Sequence, residues 1–160
     1  MSSDRAERWV PDSPEFLAAQ HRAAARDGVL SGRYVLVDGD LLRQAYGSWS
    51  PQGVRVVTTA GSPGAGEDFP GFWTAVVPHE HVALAVSFTT TARHRDGGVL
   101  QLRAPAGAGV RAVWWRGEND DAAHTIPAGF VWEKNDDYYH GTVEWEDLGD
   151  VTVAVRFHPR

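Results

Sequence analysis

Cysteine is absent from the 160-residue chain. This excludes disulfides, thiolate nucleophiles and zinc sites built on cysteine. Long apolar runs are missing as well, because no segment approaches membrane-spanning length and no apolar leader core follows Met1. We therefore expect a cytoplasmic protein with no membrane partner.

Basic residues are fewer than acidic ones, 15 against 21, and the net charge is -6. Lys134 is the only lysine. Proteins that bind nucleic acid normally carry a basic face, so we expect no nucleic-acid partner. The compact basic run Arg93-His94-Arg95 is interpreted as the solvated end of a hairpin.

The length and composition are those of one globular domain, with 42% hydrophobic and 22% charged residues. We predict a flexible N-terminus over residues 1–12 and a single β-rich domain over residues 13–160. A helix is predicted over residues 13–27. Ser13 is suited to cap it, Pro14 to occupy its first position and Gly28 to end it.

From residue 33 onward, short runs rich in Val, Thr, Tyr and Trp alternate with Gly, Asp, Asn and Pro. This pattern predicts an all-β, mainly antiparallel fold, either a β-sandwich of the jelly-roll type or a β-barrel, with the N-terminal α-helix packed on it. The aperiodic stretch 60–70 is predicted to be a surface loop, with a flap over a pocket as the alternative. The predicted strands are Arg33–Val37, Leu41–Tyr46, Val54–Thr59, Phe72–Val77, His81–Thr91, Val99–Arg103, Val110–Arg116, Gly129–Trp132, Tyr138–Glu146 and Val151–Phe157.

Four of the seven tryptophans lie between Trp114 and Asp147. Many aromatics beside histidines and carboxylates are typical of a small-molecule pocket. Strand alternation predicts that Val143 and Trp145 point inward. His140 is the candidate acid–base group, with Glu144 and Asp137 as catalytic carboxylates. The candidate ligand-binding residues are Trp114, Trp115, Trp132, Trp145, Tyr138 and His81.

The same region contains a six-residue pattern twice, at residues 119–124 and 135–140. Each copy reads Asn-Asp-Asp, then two further residues, then His. Asn and Asp favour turns, so one interpretation is two polar turns at one end of a sheet. The other is a functional duplication. Residues 117–150 also hold ten acids against one base, which predicts an acidic surface able to attract a basic protein.

His79 and His81 form a His-x-His pair. On one strand both rings would point the same way, as in many metal sites of β-barrels. With His140 as the third ligand they would hold a divalent transition metal. The alternative is that Pro78 ends the strand and separates the two rings, in which case no cofactor is expected.

Pro127-Ala128-Gly129 resembles the Pro-x-Gly of the second cupin motif. No glutamate follows His81 at the distance that the first motif requires, and Trp132 stands where the second motif has a histidine. The similarity covers only a few residues, so the chain is not assigned to the cupins.

Two functions therefore remain as hypotheses. The first is a small-molecule-binding β-protein with an aromatic-lined pocket, extended to a small enzyme of the cyclase or isomerase type. The second is a protein-interaction module, such as an inhibitor or immunity-type protein, that uses an acidic C-terminal face.

Overall fold

A computed structural model describes residues 13–119 and 125–158, with side chains left undescribed at residues 46–49. The predicted N-terminus, residues 1–12, lies outside this range. Within these residues, one α-helix precedes eleven strands. Their bounds are α1 (Pro14–Asp27), β1 (Gly32–Val37), β2 (Asp40–Ser50), β3 (Gly53–Thr58), β4 (Gly66–Phe69), β5 (Phe72–Val77), β6 (Val82–His94), β7 (Val99–Ala106), β8 (Gly109–Trp115), β9 (Val131–Glu133), β10 (Tyr138–Glu144) and β11 (Leu148–His158).

The strands pair in the order β4-β5-β3-β2-β1-β6-β7-β8-β10-β9, and β11 also pairs with β6. The pairing is mainly antiparallel, which confirms the predicted all-β class with one N-terminal helix. Among the described strands β4 and β9 end this order without pairing with each other. The sheet is therefore open, and the closed-barrel alternative is wrong.

The helix begins and ends as predicted. The backbone N–H of Phe16 donates to Ser13 Oγ at 3.1 Å, which satisfies one of the free donors of the first turn. Gly28 has φ +77°, a conformation that suits glycine after a helix. On the helix surface, Arg22 donates to Asp40 at 3.1 Å and Arg26 donates to the carbonyl of Leu41 at 2.8 Å.

The chain divides into two compact units. The described part of the first unit comprises residues 13–26, 32–87 and 155–158. Its buried cluster is Val35, Val54, Val56 and Val82. Phe16 is also fully buried, and its ring centroid lies 5.2 Å from that of Phe157.

The second unit comprises residues 27–31, 88–119 and 125–154 of the described chain. Strands β7, β8 and β10 carry most of its core. Because side chains alternate along each strand, every second residue of these strands points to one buried side. The buried cluster is Val29, Ala92, Leu100, Leu102, Val110, Ala112, Trp114 and Val143.

All ten predicted strands are present, with ends that differ from the predicted ones by at most four residues. Three differences change which elements are present or where a turn lies. Gly66–Phe69 forms the exposed edge strand β4 inside the stretch predicted to be a loop. Strand β6 begins at Val82, because the N–H of His81 donates to the carbonyl of Pro78 at 2.9 Å and closes a 3-10 turn. Strand β10 ends at Glu144, because Trp145–Asp147 forms another 3-10 turn before β11.

Candidate functional site

Strands β8, β10 and β9 bring most of the predicted site residues into one antiparallel ladder. Tyr138 of β10 is opposite Trp115 of β8 and Glu133 of β9. The next residue, Tyr139, is opposite Trp114 and Trp132. Because directly opposed residues share a face, the ladder carries two rows on opposite sides of the sheet. We call Trp114, Tyr139 and Trp132 the inner row. Trp115, Tyr138, His140 and Glu133 are the outer row.

The inner row becomes more exposed toward the sheet edge. Trp114 is 1% exposed and belongs to the core cluster, with its ring 5.8 Å from that of Tyr139. Trp132 lies 4.8 Å from Tyr139 on the other side and is 39% exposed. The indole Nε1 of Trp114 has no hydrogen-bond partner in the described part of the chain. Trp114 is thus a packing residue.

Gly141 continues the inner face, and Phe130 fills the space that its missing side chain leaves. A Cβ built on Gly141 would meet Cδ1 of Phe130 and lie 2.7 Å from Cε1. A glycine inside a strand often marks a place where another group approaches closely. The approaching group is this phenyl ring, and it stabilises the core rather than leaving room for a ligand.

The outer row is accessible and combines rings with charges. The rings of Trp115 and Tyr138 meet edge to face, 4.8 Å apart, and Tyr138 lies 6.2 Å from the ring of His140. Nε2 of His140 is 3.7 Å from Oε2 of Glu133, with both side chains more than one third exposed. An exposed pair of this kind contributes little to stability, so its groups remain available to a partner.

Gln101 of β7 holds the indole of Trp115 in place. Nε1 of Trp115 donates to Oε1 of Gln101 at 2.5 Å, and Arg103 donates to the same oxygen at 3.3 Å. Val113, opposite both Gln101 and His140, is buried. The outer face therefore includes a buried apolar side chain, Val113, next to His140. A hydrogen bond to Gln101 orients the ring of Trp115.

The carboxylate beside His140 is Glu133, which the sequence pattern did not suggest. Glu144 lies on the same face four residues along β10, a distance of roughly 13 Å at the usual strand rise. It is opposite Gly109 and exposed. Asp137 lies in the β9–β10 turn with φ +58°, and its carboxylate is 3.9 Å from Arg116. Proximity on a neighbouring strand could have identified Glu133 only once the register was known.

Trp145 lies in the 3-10 turn after β10 and is 40% exposed. The prediction that it points inward is wrong, because the strand alternation stops at Glu144. Val143, two residues earlier in β10, is buried as predicted.

His79 and His81 lie in a 3-10 turn between β5 and β6, so the strand geometry expected of the pair is not formed. Nε2 of His79 lies 2.6 Å from the carbonyl oxygen of Ser50, whereas His81 is exposed. In residues 13–119 and 125–158, no three His, Asp or Glu side chains gather in a metal-binding arrangement. Metal binding stays a prediction, which elemental analysis of untagged protein tests.

The two copies of the repeated pattern differ in structure at their first residue. Asn119 is 5% exposed, and its side chain accepts from the N–H of Val99 at 2.9 Å. The same amide donates to the carbonyls of Val99 and Trp115 at 3.1 and 2.9 Å. Asn135 is exposed in the β9–β10 turn. His124 and the rest of the first copy, residues 120–124, lie outside the described residues.

Charge is distributed unequally between the two units. The described residues of the second unit, which contains both rows, include ten acidic and six basic residues, a net charge of -4. Those of the first unit include six of each. The net charge of the described residues therefore belongs to the unit with the two aromatic rows.

Comparison of the chain with protein-family models, curated proteins and solved structures gave no match. In the described residues no helix has both the length and the apolar character needed to cross a bilayer.

Proposed function

We propose that this protein is an interaction module, of the inhibitor or immunity type, that binds a basic protein partner in the cytoplasm through the outer row. The observation that supports it is the coincidence of partly exposed aromatic rings and acidic charge on one sheet face. The row contains Trp115, Tyr138, His140 and Glu133, within the unit whose described residues carry a net charge of -4.

The rings would supply the central contacts. Tryptophan and tyrosine are enriched among interface residues whose truncation costs most binding energy. The ring of Trp115 is held by Gln101, so little side-chain freedom is lost on binding. The hydroxyl of Tyr138 makes no hydrogen bond with the described residues and is free to pair with a partner.

The carboxylates would favour a partner with positive charge. Glu144 lies on the face of the outer row, and its carboxylate makes no ion pair within the described residues. Glu118 and Asp136, at the other end of the ladder, are likewise without an ion pair there. A surface with an excess of charge of one sign associates faster with a partner of opposite charge and repels partners of like charge.

The small-molecule hypothesis has weaker support. It needs Trp114 and Trp115 in one pocket wall, but these residues belong to opposite faces of β8. A cyclase or isomerase would also need His140 and its acid enclosed away from water, whereas His140 and Glu133 are accessible.

The experiment compares two variants of equal charge change. The first carries Tyr138→Ala, Glu133→Gln and Glu144→Gln, and removes one ring and two charges from the outer face. The control carries Glu67→Gln and Glu80→Gln, two exposed acids of the other unit. A partner captured by the wild-type chain is identified, purified and titrated against each variant by calorimetry.

We expect the outer-face variant to bind at least about tenfold more weakly and the control to bind as the wild type does. The wild-type association rate should fall steeply between about 0.05 and 0.5 M salt, as the Debye length shortens. Equal affinity of the two variants, or salt-independent association, would contradict the proposal.

A further inference from the structure

An accessible apolar patch lies on strands β3, β5 and β4 of the first unit. Phe69 is directly opposite Phe72, and their rings stack in parallel with centroids 4.5 Å apart. Val76 and Phe72 occupy alternate positions of β5, and Val57 is opposite Thr74 between them, so the four apolar side chains share one side. Phe69 is 59% exposed and Val76 is 46% exposed. We call Phe69, Phe72, Val57 and Val76 the β5 patch.

The other side of the same strands builds the core of the unit. Val54 and Val56 are buried there, and Val77, directly opposite Val54, packs against the same cluster. The β5 patch therefore faces away from this cluster. Contiguous apolar side chains on the outside of a protein are typical of an interaction surface.

A polar network crosses the centre of the β5 patch. Arg55 donates to Oγ1 of Thr74 at 3.1 Å, and this hydroxyl donates to Asp68 at 2.9 Å. The guanidinium of Arg55 is 3.7 Å from the Asp68 carboxylate, and both side chains are more than one third exposed. The patch thus carries one charge of each sign and no net charge. Aromatic residues and arginine are both enriched at protein interfaces.

The free edge of β4 is protected against pairing with another strand. Among the described strands β4 ends the sheet, and its register with β5 is irregular between Glu67 and Phe69. It also carries two exposed acids, Glu67 and Asp68. Charges and bulges on an edge strand prevent edge-to-edge pairing. A partner of this region therefore contacts the face of the sheet and not its edge.

The charge distribution favours a second copy of the chain as that partner. The described residues of the first unit include six acidic and six basic residues, whereas those of the second unit have a net charge of -4. Two copies that meet through their second units repel each other. Contact through the first units adds no such repulsion.

The β5 patch also has the arrangement that a symmetric contact requires. Phe72 and Val76 lie on either side of Thr74, roughly 13 Å apart at the usual strand rise. A twofold axis near Thr74 places Phe72 of each copy on Val76 of the other. The same axis brings Arg55 of each copy toward Asp68 of the other, so apolar groups meet apolar groups and opposite charges meet.

We propose that the β5 patch binds the β5 patch of a second copy and forms a twofold-symmetric dimer. The site is independent of the proposed protein interface, since it shares no residue with the outer row. Each dimer carries two outer rows, which raises the avidity for any partner that offers two binding sites.

The test is sedimentation equilibrium of the full chain from low to high micromolar concentration. We expect the average mass to rise from 17.5 kDa toward twice that value and no further. Added salt should leave the dimer intact or strengthen it, because salt screens the repulsion between two chains of net charge -6. A monomer throughout, a mass that passes two copies, or a dimer that salt dissociates would overturn the proposal.

Substitutions locate the contact. Phe69→Ser should weaken the dimer by at least about tenfold. Val131→Ser is the matched control, because Val131 is 60% exposed but belongs to the second unit, and it should leave the dimer unchanged. Circular dichroism checks that each variant is folded; if Phe69→Ser is not, Val76→Ser takes its place with the same expected loss. Equal effects of the patch variant and Val131→Ser, or a dimer that only Val131→Ser weakens, would show that the β5 patch is not the contact.

Discussion

Trp114 and Trp115 are neighbours in β8 and belong to opposite faces of its sheet. Trp114 packs in the core against Tyr139, whereas Trp115 contacts Tyr138 and donates to Gln101 on the other side. Adjacent tryptophans thus have different roles, one in stability and one on the accessible face. The difference follows from the twofold alternation of a strand and from which face is covered.

Replacing these tryptophans should affect stability unequally. Trp114→Ala removes a fully buried indole, and we expect the free energy of unfolding to fall by about 3–5 kcal/mol. Trp115→Ala removes a partly exposed ring and should cost roughly 1–2 kcal/mol. Urea denaturation followed by circular dichroism measures both values. A larger loss for Trp115→Ala would contradict the assignment of faces.

The two asparagines of the repeated pattern provide a matched pair. Asn119→Ala leaves Val99 N–H, Val99 C=O and Trp115 C=O without the side-chain partner that they now share. We expect a loss of about 2–4 kcal/mol in the free energy of unfolding. Asn135→Ala, in an exposed turn, should change it by no more than about 0.5 kcal/mol. Equal effects in urea denaturation would restore the view that both copies are the same kind of turn.

The packing of Phe130 on Gly141 predicts that an added methyl group is destabilising. Gly141→Ala should lower the free energy of unfolding by about 1–3 kcal/mol, because the ring must move to admit the Cβ. Gly117→Ala is the control, since nothing lies within 4 Å of its added Cβ. In a Phe130→Ala background the cost of Gly141→Ala should nearly vanish, and a double-mutant cycle measures this coupling. Additive costs would show that the ring does not restrict Gly141.

The stability of the protein should depend on pH partly through His158. Burial, with smaller effects of Arg33 and Arg156, lowers the pKa of His158 below its ordinary value of 6.5. The unfolded chain therefore takes up this proton at a higher pH than the folded chain. The contribution of His158 to stability is fully present above pH 6.5 and is lost as the pH falls from 6.5 through the folded-state pKa.

We expect the wild type to lose more unfolding free energy than His158→Asn between about pH 7.5 and about pH 5.5, on either side of the ordinary histidine pKa. Ser87→Ala removes the hydroxyl that lies 2.5 Å from Nε2 of His158 but keeps the imidazole. Its pH dependence should stay close to that of the wild type. If His158→Asn loses as much as the wild type, the pKa of His158 does not differ between the folded and unfolded chain.

The sequence by itself determined the elements of this protein. Ser13, Pro14 and Gly28 mark the helix because capping and backbone preference act over three or four residues. Ten of the eleven strands are recognisable for the same reason, since alternation and turn residues are local signals. The exception, β4, is an exposed edge strand of four residues with no buried side to leave a pattern. At Pro78, the 3-10 turn that displaces His79 and His81 from β6 was one of two local outcomes that the sequence allowed.

Tertiary structure decided which residues meet. Glu133 reaches His140 because β9 and β10 pair in a register that places Tyr138 opposite Glu133. Asn119 is buried because its side chain hydrogen-bonds to the backbone of Val99 in β7. Asn135 begins an identical tripeptide but lies in an exposed turn. The same holds for Arg95, which meets Asp147 although the two residues are 52 positions apart in the chain. Strand register and long-range pairing arise from the combined burial of many side chains, so no single stretch of sequence encodes them.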